Sequence, residues 1–299
     1  MFHPPLLRSG DTIYITAPAR AFPIDEVQYA IHTIEKFGFK AIVGNTIGAS
    51  YHQWSATDSK RAADVQTALN NPEVKALFMA RGGYGCVRII DEVDFSPLQK
   101  HPKWMVGFSD VTVFHAHLWS NFRLASLHAP MIINFKENTE ESIQSIFHQL
   151  TTGVGSLNGA EGLPGYARGP LVGGNLSVLY SLLGSRSFPD LQGVILMLED
   201  LDEYLYHIDR MLFALKRAGV LEGLAGLVIG SFTKMHDNQV PFGYTVREIF
   251  LHHFANRGIP LAFGANIGHH TDQRAFIHGA DAVLEVDSTG NWQLQWQLT

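Results

Sequence analysis

The chain has one cysteine, Cys86, so no disulfide can close within it and a cysteine-rich zinc site is excluded. It has no cluster of lysine and arginine, and its formal net charge is -6, which argues against nucleic acid as a partner. Without a broad positive field, any site for an anion has to be built locally. No apolar run approaches the roughly 18 residues that a membrane-spanning helix needs, so no membrane association is expected. The opening MFHPPLLRSGDTIYITAP lacks a basic stretch followed by an apolar one, so no signal peptide is expected and the cytoplasm is the expected compartment. Internal repeats and low-complexity tracts are also missing.

What remains is a globular balance: 299 residues, 46% apolar and 17% charged, enough for one large domain or two medium ones. The first half alternates strands and helices. Asp11 to Ala17 reads as a buried strand, Val27 to Phe37 as a helix stopped by Gly38, and Lys40 to Val43 as a second strand. Arg61 to Leu69 follows as a helix, Ala76 to Ala80 and Trp104 to Phe108 as strands, and Asp110 to Trp119 as a helix. This order predicts an α/β fold whose N-terminal domain, residues 1–150, is a parallel sheet covered on both faces. Asn138 and Glu141 have the spacing of a capping box ahead of the apolar face Ile143, Ile146, Phe147 and Leu150. The glycine-rich stretch 151–169 has neither helical nor strand period and is expected to be an interdomain linker. Residues 170–299 predict a mixed α/β domain with substantial β content. Its elements include an apolar strand from Gly193 to Leu198, an amphipathic helix from Tyr204 to Arg217 and a strand from Leu224 to Ile229.

Four segments are able to carry chemistry. In Val106-Gly107-Phe108-Ser109-Asp110-Val111 a strand runs into a serine and then a helix, the geometry of a nucleophile elbow. The N–H of Asp110 would then lie at a helix N-terminus, able to stabilise an oxyanion. The second glycine of G-x-S-x-G is missing, and Ser109 with Asp110 would serve equally as a helix cap. Arg81-Gly82-Gly83-Tyr84-Gly85 follows a buried strand; its glycines let backbone approach a ligand, and the spacing does not match a dinucleotide loop. A substrate-binding or oxyanion loop and a plain tight turn both fit it. In Leu198-Glu199-Asp200-Leu201-Asp202-Glu203 four carboxylates crowd the end of an apolar strand, where sites form in open sheets. With His207 and the pair His269-His270 available a metal is conceivable, but the H-x-x-x-H and H-E-x-x-H spacings are missing around them, so none is expected. Finally, Gly264 to His270 places a histidine in a glycine-flanked loop. Among fifteen histidines it stands out only through its combination with the other segments.

Together these blocks resemble the LD-carboxypeptidase (muramoyltetrapeptide carboxypeptidase) family of serine peptidases. The likeness runs from Gly10-Asp11 and Ala17-Pro18 through Arg81 to Gly85, Gly107 to Asp110 and Gly173-Gly174-Asn175-Leu176. It continues through Leu198-Glu199-Asp200, Glu203, Tyr206 and Ile208-Asp209-Arg210 to Gly268-His269. The resemblance implies a class I glutamine amidotransferase-like N-terminal domain and a Ser-Glu-His triad of Ser109, Glu199 and His269. Oxyanion donors would be the N–H groups of Asp110 and Gly83. Arg81, Gly82, Tyr84 and Glu203 are further candidates for contact with substrate. It implies release of terminal D-alanine from cytoplasmic murein tetrapeptide, no metal or organic cofactor, and a homodimer. Ala129 in Leu127-His128-Ala129-Pro130 and His278 in Phe276-Ile277-His278-Gly279 depart from the family pattern. Relatives resembling microcin C self-immunity proteins, which hydrolyse aminoacyl or peptidyl sulfamoyl adenylates, form an alternative. A non-catalytic peptide-binding module is another, from a different class.

Overall fold

A computed structural model describes residues 2–299. The first half supplies β1 (Thr12–Thr16), β2 (Lys40–Val43), β3 (Val74–Met79), β4 (Trp104–Gly107) and β5 (Ser126–His128). Its helices are α1 (Val27–Lys36), α2 (Asp58–Asn70), α3 (Cys86–Ile89), α4 (Thr112–Phe122) and α5 (Glu140–Thr152). The five strands pair in parallel in the order β5-β4-β3-β1-β2. Strands β3 and β4 are apolar almost throughout, β1 carries Ile13, Tyr14 and Ile15 between two threonines, and all three are largely buried, as a sheet covered on both faces requires.

The second half supplies β6 (Val154–Gly159), β7 (Gly162–Leu163), β8 (Gly165–Asn175), β9 (Ile195–Leu201), β10 (Gly226–Thr233), β11 (Leu261–Phe263), β12 (Phe276–His278), β13 (Asp281–Val286) and β14 (Trp292–Gln297). It also holds α6 (Leu176–Ser181), α7 (Leu205–Arg217) and α8 (Val246–Phe254). An eight-stranded sheet runs β6-β14-β13-β8-β9-β10-β11-β7, parallel from β8 to β11 and antiparallel elsewhere. The fold is therefore mixed α/β with one parallel-rich sheet and one mixed sheet. The short β12 leaves the second half and adds antiparallel to β5, at the edge of the first sheet.

The stretch 151–169 is not an irregular linker. It completes α5, forms β6 and β7, and begins β8. The reason lies across the ladder. Gly155 pairs with Trp296 and Gly159 with Trp292; a Cβ at either glycine would come within 2.4 Å or 2.5 Å of the opposing indole. The glycines make room for two tryptophans and so erase the alternation by which a strand is read. The helix start near Asn138 also shifts by one residue: Thr139 is the cap and accepts from the Ser142 N–H, while Asn138 donates from its side chain to Ser142 Oγ.

Two parallel arrays thus bring several strand C-termini together, the position at which open α/β sheets build sites. From the first sheet come the segments after β1, β3 and β4; from the second, the ends of β9 and β10 and the loop after β11. The two are joined at Thr112, the first residue of α4, whose Oγ1 accepts the Asn175 N–H at 3.1 Å. Gly174, at φ +141°, makes that approach possible, since a Cβ there would lie 2.6 Å from Thr112 Oγ1.

Candidate active site

Strand β4 ends at Gly107, where a Cβ would stand 2.9 Å from the Val111 side chain. The chain therefore turns sharply and Ser109 takes φ +61°, a left-handed conformation costly for a residue with a side chain. A single 3₁₀ turn, Ser109 to Val111, leads into α4. The expected strained strand-to-helix turn is present. Asp110 is buried and its Oδ2 accepts the Cys86 N–H at 2.9 Å, tying the serine turn to the start of α3 beyond the glycine loop. Burial pushes the Asp110 carboxyl up, and the hydrogen bonds from Cys86 hold it partly back.

Gly82 touches the same turn. A Cβ built on it would lie 3.4 Å from both the Asp110 N and its Cβ. Gly83, at φ +102°, turns toward Arg20: a Cβ there would be 2.6 Å from Arg20 Cδ. Arg81, in contrast, spends its Nη1 on the Ala21 carbonyl at 3.1 Å. Tyr84 is exposed, and its carbonyl accepts from Trp54 Nε1 at 2.9 Å, which fixes the loop's outer edge.

In the second sheet the carboxylate run divides by strand alternation. Strand β9 continues past Glu199 to Leu201, so Glu199 sits within it and not at its end. Glu199 is fully buried and its Oε2 accepts from His269 Nδ1 at 2.7 Å. Its other oxygen, Oε1, has no partner among the described residues. Asp200 serves the opposite side: it accepts from Asn175 Nδ2 at 2.9 Å and from the Ser177 N–H at 2.8 Å, anchoring the start of α6. Burial, then the Glu199 charge, raise its pKa to about 6. Asp202 pairs with His236 at 2.6 Å, and Glu203 Oε2 with His207 Nδ1 at 2.5 Å. Glu203 therefore caps no backbone N–H; it is held by a side chain of the first turn of α7.

His269 stands on a tight loop. Gly268, at φ +108°, packs so closely that a Cβ would fall 2.5 Å from Ser231 Oγ and 2.7 Å from Glu199 Oε2. Burial favours the neutral imidazole, but the Glu199 charge and hydrogen bond, with Asp200 behind, outweigh it, and the net effect raises the His269 pKa. The imidazole ring lies 4.7 Å from the ring of Phe108, the residue before Ser109. The serine turn, the Glu199–His269 pair and the glycine loop are thus brought together; among the described residues no hydrogen bond joins Ser109 Oγ to the imidazole. An imidazole oriented by a carboxylate can take a proton from a hydroxyl, and backbone N–H groups at a helix start can stabilise an oxyanion.

Behind Phe108 lies a feature that sequence reasoning did not pick out. His128 is buried with its ring 5.8 Å from that of Phe108; His115 and His278 follow, the latter two 5.6 Å apart. His115 bridges the Gly107 carbonyl and Ser126 Oγ. Its place on α4, eight residues past Gly107, gives no local signal, and Arg20 was equally unmarked.

The comparisons with known proteins agree with this architecture. Residues 13–129 match the LD-carboxypeptidase N-terminal domain and residues 168–284 the LD-carboxypeptidase C-terminal domain. A probable murein peptide carboxypeptidase of Bacillus subtilis is 32% identical over 295 residues, covering 95% of this chain and 92% of the relative. The crystal structure of muramoyltetrapeptide carboxypeptidase from Oxalobacter formigenes superposes with a TM-score of 0.88 at 28% identity, covering 96% of this chain and 98% of that one. The structure of MccF in complex with glutamyl sulfamoyl guanosine has a TM-score of 0.83 at 20% identity over 98% of each chain, a likeness of fold alone. Fold and relatives define a serine-type carboxypeptidase, a hydrolase. The chain belongs to the LD-carboxypeptidase family.

Proposed function

We propose that the protein hydrolyses the bond to the terminal D-alanine of murein tetrapeptide, with Ser109 as nucleophile, His269 as general base and Glu199 as the carboxylate that orients it. The observation that carries this reading is the 2.7 Å contact between His269 Nδ1 and buried Glu199. With Nδ1–H donated to Glu199, Nε2 would be free of its proton, and the ring stands 4.7 Å from that of Phe108, the residue before Ser109. Ser109 Oγ attacks the scissile carbonyl while Nε2 takes its proton. The tetrahedral oxyanion lies against the N–H groups of Asp110 and the glycine loop, Gly83 being the donor expected there. The imidazolium then returns its proton to the departing D-alanine amine, and water repeats the cycle on the acyl-enzyme.

The two chain halves, divided near residues 151–169, supply different parts: the nucleophile comes from the first and the acid and base from the second. The matches at 13–129 and 168–284 support that division. Arg81 braces the segment after β1, while exposed Tyr84 remains a candidate for contact with substrate, as does Glu203. Among the described residues no helix is long and apolar enough to cross a membrane. A cytoplasmic homodimer completes the reading; cell fractionation and light scattering test it. The activity is tested with the purified protein and murein tetrapeptide. Release of free D-alanine and accumulation of the tripeptide is the expected result, and an intact tetrapeptide after prolonged incubation contradicts it.

A further inference from the structure

Cleavage at the last residue requires something that reads the terminal carboxylate. Arg81 is the cation nearest the glycine loop in sequence, but its Nη1 donates to the Ala21 carbonyl. Arg20 has the complementary properties. It leaves β1 on the same side as the serine turn, and its N–H donates to the Gly82 carbonyl at 3.3 Å. Its backbone also bridges Trp54, so its Cα is held from two directions.

The side chain of Arg20 lies over Gly83. A Cβ on Gly83 would meet Arg20 Cδ at 2.6 Å and Nε at 2.7 Å, so the space a side chain would take is filled by the end of the arginine. On the other side of the loop, a Cβ on Gly82 would stand 3.4 Å from Asp110 N, so Gly82 faces the serine turn. The chain of contact from the serine turn to this guanidinium is therefore Asp110, Gly82, Gly83, Arg20. Among the described residues the Arg20 guanidinium meets no carboxylate and no hydrogen-bond acceptor, whereas Arg61, Arg88, Arg168, Arg186, Arg247 and Arg274 are each paired with one. It is an exposed, unengaged fork beside the loop, on a protein whose net charge is -6.

We propose that Arg20 is the specificity-determining residue that binds the terminal carboxylate of the leaving D-residue, resting on the catalytic assignment above. The guanidinium presents two parallel N–H groups, a geometry that matches a carboxylate bidentately. Arg81, through Ala21, positions the segment on which Arg20 is mounted. The missing side chain of Gly83 admits the arginine.

The test compares wild type, Arg20→Gln and Arg20→Lys on murein tetrapeptide and on its C-terminal amide. Wild type is expected to cleave the free acid and to discriminate strongly against the amide. In Arg20→Gln the kcat/KM for the acid falls on the order of a hundredfold, mainly through KM, since truncating one partner of a charged hydrogen-bonded pair leaves the other charge unpaired. Its activity toward the amide stays near the wild-type value, so the preference for the acid collapses. Arg20→Lys lies between, because it keeps charge and loses the fork. An unchanged acid-to-amide ratio in Arg20→Gln, with wild type active, overturns the assignment of Arg20 alone. A wild-type protein that releases no D-alanine overturns the proposed function and this assignment with it. Because Arg20 is exposed, the fold of each variant is checked by its unchanged melting temperature.

Discussion

His269 and Glu199, 70 residues apart in sequence, meet through a 2.7 Å hydrogen bond between Nδ1 and Oε2, with the carboxylate fully buried and the imidazole partly so. Burial alone would push the imidazole toward the neutral form; the carboxylate reverses that and raises its pKa. As the proposed general base, His269 must be neutral to accept a proton. Activity is therefore expected to fall as pH drops through a value above the ordinary histidine pKa of about 6.5. In Glu199→Gln the raising charge is gone, so the acid limb of the kcat/KM profile moves to lower pH while kcat drops by orders of magnitude. An acid limb that stays in place would show that some other group titrates there.

Gly268 holds that pair in register. At φ +108° and with Glu199 Oε2 and Ser231 Oγ both inside 3 Å of where a Cβ would stand, Gly268→Ala has no strain-free solution. The variant is expected to displace the imidazole from Glu199 and lower kcat by at least tenfold. Its thermal stability should fall as well. Wild-type kcat in Gly268→Ala would mean that the Glu199–His269 contact is not needed in the rate-limiting step.

Asp110 links the serine turn to the glycine loop through the Cys86 N–H. Asp110→Ala leaves that buried donor without an acceptor, a loss of about 1–3 kcal/mol of stability. Urea unfolding is expected to show it, together with a lower kcat because the loop is no longer tied to the serine turn. Asp110→Asn, which retains an acceptor oxygen, should recover much of both. Equal stability of the alanine variant and wild type would contradict this role.

Acid should destabilise the fold through the buried histidines. Burial lowers the pKa of His115 to about 4 and those of His128 and His278 well below the ordinary value. The folded form keeps these rings neutral, while the unfolded chain protonates them once the pH drops below about 6.5. Their contribution is therefore intact above that value and is lost progressively as pH falls toward the folded-state pKa, His115 alone accounting for about 3 kcal/mol. Melting temperatures measured between pH 7 and pH 4 should fall steeply in wild type and less in His278→Phe. A flat profile would show that these rings are charged or solvated in the native state.

The sequence made the parallel half legible because its strands are apolar and its helices keep their period, so β1 to β4 fall within a residue or two of where they were expected. It failed at 151–169, where glycines facing Trp292 and Trp296 leave a strand with no side-chain pattern to read. Ser109, Glu199 and His269 each sat in a segment that chemistry could single out. Their convergence, however, depends on two sheets meeting at Thr112 and Asn175, which no local pattern announces. Arg20 and the clustering of His115, His128 and His278 were invisible for the same reason, although His278 stood out as a departure from the family pattern: a free guanidinium and a buried imidazole acquire meaning only from what the fold sets beside them.

Ser109, His269 and Glu199, proposed to act as one unit, should show non-additive losses when removed together. D-alanine release from murein tetrapeptide would be measured for Ser109→Ala, His269→Ala and the double variant. Either single change is expected to reduce kcat by about 10⁴-fold or more, and the double variant should be no slower than the worse single one. Losses that multiply in the double variant, or substantial release by Ser109→Ala, would contradict the account.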